Sequence, residues 1–148
     1  MTIQAGDPAP DVTARNQNGD AVTLEFDDPT VVYFYPRDGT PGCTLEAREF
    51  EADIESFRRT SAAVFGVSTD EVDSHRAFAD EEGLSFDLLA DPDAAVADAF
   101  DVETKGEFVD RVTFVLADGE VKAVVDADTM NPEGHAADVL EAVERAAE

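Results

Sequence analysis

Cys43 is the only cysteine in the 148-residue chain, and its setting determines what it can do. The thiolate is the nucleophilic form of cysteine. It is favoured close to unpaired backbone N–H groups and the positive end of a helix dipole. Thr40-Pro41-Gly42-Cys43 reads as a helix start. Threonine suits the cap, and proline suits the first helical position, where its missing N–H costs nothing. Cys43 then falls in the first turn. The dipole supplies only about 0.3–1 kcal/mol, so a strongly activated thiol also needs a nearby cation. The alternative is a small buried hydrophobe, a frequent fate of free cysteine. The polar, Gly/Pro-rich surroundings favour the reactive reading.

Two elements must position this residue. Val31-Val32-Tyr33-Phe34-Tyr35 is an unbroken apolar run rich in β-branched and aromatic residues, as expected of a strand buried on both faces. Downstream, Ala47, Phe50, Ile54 and Phe57 recur three or four apart and predict a helix running to about Arg59. Pro36 to Gly42 is the compact turn between them.

The pattern Pro36-x-x-x-Thr40-x-x-Cys43 resembles the peroxiredoxin active-site motif. Thr40-Pro41-Gly42-Cys43-Thr44, followed by Glu46, resembles its bacterioferritin-comigratory or Q-type branch. A second block, Arg111-Val112-Thr113-Phe114-Val115-Leu116, resembles the strand that carries the family's active-site arginine. The likeness extends from about Gly6 to the last helix. It implies a thiol-dependent peroxidase acting on hydrogen peroxide and organic hydroperoxides, with no cofactor and no metal. In that resemblance Cys43 is the residue oxidised to sulfenic acid, and Thr40 offers a hydroxyl to the peroxide. Arg111 stabilises the thiolate and the developing charge, Pro36 shields one side of the pocket, and Glu46 orients the arginine. Many Q-type relatives carry a resolving cysteine five positions after the first, where this chain has Arg48. With no second thiol, an external one must reduce the sulfenic acid: a thioredoxin-like protein or a small molecule. A peroxide sensor passing its oxidation to a partner protein shares the same first step and is the alternative.

Other cysteine chemistries fit less well. A disulfide reductase of the thioredoxin type wants Cys-x-x-Cys, but Cys43-Thr44-Leu45-Glu46 lacks the second thiol. A cysteine hydrolase needs a histidine base. His75 and His135 fall within or at the start of predicted helices and read as surface or cap residues. One cysteine and two scattered histidines do not suggest a metal site.

The remaining chain predicts an α/β fold of a single domain spanning residues 1–148. A hairpin, Asp11–Arg15 with Ala21–Leu24, surrounds an Asn-Gly turn signal. Ala62 to Ser68 is a further strand, parallel to the central one through the intervening helix. A helix from Glu71 ends at Gly83, and Phe86 to Leu89 is extended. Another helix follows Asp91-Pro92-Asp93, with Val96, Ala99 and Phe100 on its apolar side. Thr104 to Asp110 reads as a loop. Val112 to Leu116 and Val121 to Val125 form an antiparallel pair about Asp118-Gly119. A last helix carries Ala136, Val139 or Leu140, Val143 and Ala147 inward. This order suits a mixed sheet with helices on both faces, and the resemblance implies the thioredoxin-like form of it.

Composition narrows the partners. Thirty-five Asp and Glu oppose ten Lys and Arg, for a formal net charge of −25. Such a polyanion repels nucleic acid and anionic membranes. No run approaches the roughly 20 apolar residues needed to span a bilayer, and the N-terminus has neither a basic start nor an apolar signal core. These features and the lone thiol point to a soluble, cytoplasmic protein in a reducing compartment, as a monomer or weak dimer. The acids are dispersed and only Lys105 and Lys122 are lysines, a coat of the kind halophilic proteins carry. At molar salt the screening length is about 3 Å, which relieves the self-repulsion. The melting temperature should therefore climb as potassium chloride is raised from dilute buffer toward the molar range. A flat profile would contradict the halophilic reading.

Overall fold

A computed structural model of the chain describes residues 3–106, 108–126 and 133–146. The elements follow in the order β1 (Val12–Arg15), β2 (Ala21–Leu24), β3 (Thr30–Phe34), α1 (Pro41–Ala52), α2 (Ile54–Arg59), β4 (Ala63–Ser68), α3 (Val72–Glu82), β5 (Asp87–Ala90), α4 (Ala95–Ala99), β6 (Thr104–Lys105), β7 (Phe108–Val109), β8 (Val112–Ala117), β9 (Glu120–Asp126) and α5 (His135–Ala146). Seven strands make one mixed sheet in the order β2-β1-β5-β4-β3-β8-β9. The central strand β3 runs parallel to β4, Val32 opposite Phe65, and antiparallel to β8, Val32 opposite Phe114. The expected hairpin β1–β2 joins the far edge through Arg15 opposite Ala90.

The alternation of β3 divides the core. Val31, Tyr33 and Tyr35 face one side, where they meet Phe50, Phe57, Phe78, Val139 and Val143 from α1, α2, α3 and α5. Val32 and Phe34 face the other, against Phe26, Val96, Phe100 and Phe114. All five residues of β3 are buried, which explains why the run shows no polar alternation.

Several expectations need revision. The helix carrying Cys43 does not run unbroken to Arg59. It pauses at Asp53, whose φ of −96° and ψ of 5° lie in the bridge region rather than the helical one, although Ala47, Phe50, Ile54 and Phe57 are all buried as the spacing requires. The segment after Asp91 turns inward with Val96 and Ala97 rather than Ala99, and its helix begins later, at Ala95. The Asp91 carboxylate accepts the amides of Val96 at 2.9 Å and Ala97 at 3.0 Å, so Asp91 anchors that helix start. Thr104 to Asp110 contains a two-residue antiparallel ladder, β6–β7. Pairs this short leave no periodic signature. In α5, Ala136, Val139 and Val143 are buried, and Ala147 lies outside the described residues.

One glycine is fixed by close approach. Gly66 lies opposite Tyr33 in the β3–β4 ladder, and the tyrosine ring occupies the space a side chain would take. A Cβ there would sit 2.8 Å from both Cζ and Oη of Tyr33 and 2.9 Å from Leu88. Tyr33 stacks on Phe50 with ring centroids 4.4 Å apart, so it has little room to yield. Gly66→Ala should destabilise the fold by about 1–3 kcal/mol, as overpacking generally does, in urea unfolding. A loss below about 0.5 kcal/mol would show that the ring moves aside.

Candidate active site

The site forms where β3 ends and α1 begins. Pro41 takes the first helical position after Thr40, whose φ of −76° and ψ of 154° are extended. The Thr40 hydroxyl does not cap the helix as expected. It donates to the Arg37 carbonyl at 3.1 Å, tightening the turn, while the Thr40 carbonyl accepts the Thr44 amide at 2.8 Å. Cys43 lies in the first turn and is buried, at 1% exposure. Arg111 arrives from the residue before β8. Its Nη2 donates to Cys43 Sγ at 3.5 Å and its Nη1 to Glu46 Oε1 at 2.5 Å. Cys43 and Glu46 are three apart on α1, so they share the helix face that meets the guanidinium. Of the predicted residues, the structure brings these three together. Pro36 lines, with Arg37, Thr69 and Phe108, a cavity of about 490 Å³ whose lining includes none of Cys43, Thr40, Glu46 or Arg111.

Arg111 is 5% exposed and Glu46 1%. Burial pushes the Glu46 carboxyl up to about 7, against the downward pull of Arg111. Burial works against the charge of Arg111, but Glu46 and Cys43 beside it leave its pKa raised. The second oxygen of Glu46, Oε2, has no hydrogen bond among the described residues and lies 3.7 Å from His135 Nε2. That imidazole is held down to about 4, mainly by burial, so it is neutral at pH 7. Its Nε2 pairs with Thr113 Oγ1 at 2.7 Å.

Both histidines therefore differ from the expected surface or cap residues. His135 backs the Glu46–Arg111 pair, and His75 is fully buried beside Asp38 on the active-site turn. Asp38 carried no distinguishing signal in so acidic a chain, and neither histidine lay in a readable motif. The group at hydrogen-bond distance from Sγ is a guanidinium rather than the imidazole a hydrolase needs. Arg48 pairs with Glu82 of α3 at 2.5 Å, tying α1 to its neighbour.

Comparison with known proteins identifies the family and the fold. Residues 5–124 match the model of the AhpC/TSA family. Peroxiredoxin Bcp of Bacillus subtilis is 36% identical over 150 residues, covering 95% of each chain. The chloroplastic peroxiredoxin Q of Arabidopsis thaliana is 36% identical over 142 residues, covering 93% of this chain and 66% of that one. Among solved structures, BcpB of Mycobacterium tuberculosis superposes with a TM-score of 0.87 at 32% identity, covering 97% of both chains. The bacterioferritin comigratory protein of Xanthomonas campestris, studied for its alkyl peroxide reduction, superposes at 0.84 with 33% identity, covering 93% and 92%. The mixed sheet is thus the thioredoxin-like one expected.

The buried carboxyl has a stability consequence. Because its folded pKa of about 7 exceeds the ordinary 4.5, the folded state holds a proton that the unfolded state releases. The resulting stabilisation is complete below about pH 4.5 and is lost as pH rises through about 7, on the order of 3 kcal/mol in all. His135, lowered from 6.5 to about 4, acts oppositely: its contribution is present above pH 6.5 and lost as pH falls through 4. Glu46→Gln keeps the acceptor for Arg111 and removes the titration. Its stability relative to the parent should therefore be more favourable at pH 7.5 than at pH 5, in urea melts. Parallel curves would refute a carboxyl titrating near neutrality.

Proposed function

The chain belongs to the AhpC/TSA family, within its peroxiredoxin Bcp/Q branch, and from that membership we propose how its residues act. It is a thiol-dependent peroxidase: a peroxide is its substrate and a thiol its reductant. The Cys43 thiolate attacks one oxygen of the hydroperoxide. The O–O bond breaks, Cys43 becomes a sulfenic acid, and the departing oxygen takes a proton to leave as water or an alcohol. Arg111 supplies fixed donors to the sulfur and to the charge that grows on the peroxide. The carrying observation is that one guanidinium bridges Cys43 Sγ and the Glu46 carboxyl in a buried site. Glu46 holds the fork in that orientation. Since the Thr40 proton goes to Arg37, the Thr40 oxygen accepts the peroxide O–H. Pro36 shields the adjoining side.

The sulfenic acid has no partner within the chain, because Cys43 is the only cysteine. An external thiol, from a thioredoxin-like protein or a small molecule, displaces water to form a mixed disulfide. A second thiol then releases reduced Cys43. Joining two Cys43 residues directly is slow, since two chains of net charge −25 repel and the sulfur is buried; we therefore read the protein as a monomer or weak dimer. A reducing compartment such as the cytoplasm suits this cycle. Nothing in the comparisons favours the sensor.

Intact-mass analysis of reduced protein with one equivalent of peroxide tests the cycle. One added oxygen should appear first and a second under excess peroxide, with added thiol diverting the first to a mixed disulfide. Cys43→Ser should consume no peroxide. Undiminished peroxidase activity in that variant, or complete rapid conversion to a Cys43–Cys43 dimer, would overturn the scheme.

A further inference from the structure

The turn that carries Pro36 and Thr40 is held from outside by a polar cluster that peroxide chemistry does not require. Asp38, two residues before Thr40, is the centre. Its Oδ1 accepts the Tyr35 hydroxyl at 2.6 Å, and its Oδ2 accepts the Ser74 hydroxyl at 2.8 Å. His75 Nδ1 lies 2.7 Å from the same Oδ2, while its Nε2 lies 3.0 Å from the Leu89 carbonyl of β5. The Asp38 amide donates to Asp70 Oδ2 at 2.7 Å, which also accepts the Ser68 hydroxyl at 2.7 Å. The His75 side chain is 0% exposed and that of Asp38 only 6%.

The two sides of the imidazole determine its protons. A neutral imidazole has one N–H and one lone pair. Here both nitrogens face oxygens: a carboxylate on one side and a backbone carbonyl on the other. The carbonyl can only accept, so Nε2 carries a proton. On the Nδ1 side, hydroxyls of Tyr35 and Ser74 already donate to Asp38, and donors converging on a carboxylate favour its ionised form. An ionised Asp38 must then be met by a proton on Nδ1. The groups surrounding the ring agree. Asp38 and Tyr35 face it from the turn, Leu89 from β5, and Asp70 from the end of β4. Asp38, Asp70 and His75 atoms all lie within 4.8 Å of one another. One cation therefore balances two carboxylates.

We propose that His75 is a doubly protonated imidazolium that acts as a positioning residue for the active-site turn, pinning Asp38 and through it Thr40 and the start of α1. The proposal rests on the functional reading above for its kinetic consequence, but not for the charge itself. Loss of either ring proton sets two lone pairs against each other inside the fold, freeing Asp38 and with it the Arg37–Thr40 hydrogen bond.

Long-range proton–nitrogen NMR of labelled, reduced protein reads the charge directly. At pH 7 both ring nitrogens of His75 should show protonated-type shifts, with His135 giving the contrasting neutral pattern and His135→Gln assigning the two. An unprotonated nitrogen in His75 overturns the proposal. Asp38→Asn removes the charge at nearly constant shape. The second-order rate with hydrogen peroxide at pH 7 should fall about tenfold, the size expected from losing a hydrogen bond to a charged group. A rate within about twofold of the parent overturns the positioning role. Absence of peroxide consumption by the parent protein would instead count against the proposed function, and the NMR result would decide the histidine independently.

Discussion

One buried guanidinium is the constraint around which the site is built. Arg111 sits at 5% exposure, where an unpaired charge would cost several kcal/mol. Its partners are a carboxyl and a thiol on one helix face. Two acidic groups share one cation, so a negative charge on one disfavours it on the other. Burial, working against the pull of Arg111, leaves the carboxyl poised near neutrality rather than fully ionised. The shared guanidinium also places the sulfur beside a donor whose planar fork lysine could not reproduce.

The sheet makes this meeting possible. β3 and β8 are neighbours, antiparallel, with Phe34 opposite Val112. The chain leaves β3 directly into the turn and α1, while Arg111 stands immediately before β8. Thiol and cation therefore arrive at the same end of two adjacent strands although 68 residues separate them. The core beneath is aromatic and close-packed, with Tyr33 stacked on Phe50, which leaves α1 little freedom to shift.

The acidity of the chain is confined to its surface. Among the described residues Glu46 and Asp91 are buried and the Asp38 side chain is almost so, and each has specific donors: Arg111 for Glu46, the amides of Val96 and Ala97 for Asp91, and the Tyr35 and Ser74 hydroxyls for Asp38. The interior follows the ordinary rule that buried charge is paired. The excess negative charge remains outside, where salt screens it.

Much of this was legible because it is local. Five consecutive apolar residues fixed the central strand, Thr40-Pro41 fixed the helix start, and a three–four spacing fixed the buried face of α1. These patterns are set by steric and hydrogen-bonding rules acting within a few residues. The motif around Cys43 and the distant Arg111 block pointed to the family because they are specific in type and spacing. Other features depended on which surfaces meet. The break at Asp53, the short β6–β7 ladder and the Thr40 hydroxyl turning to Arg37 leave no periodic trace. The burial of His75 and His135 was misread because a polar residue on a helix is exposed or enclosed only according to what packs over it. Glu46 was marked only by the family resemblance; taken alone it was one acid among thirty-five until the fold enclosed it with Arg111. The sequence by itself determined where the thiol stands and which elements carry it. The tertiary structure alone decided which charges face it, because desolvation and pairing are properties of surfaces brought together from distant parts of the chain.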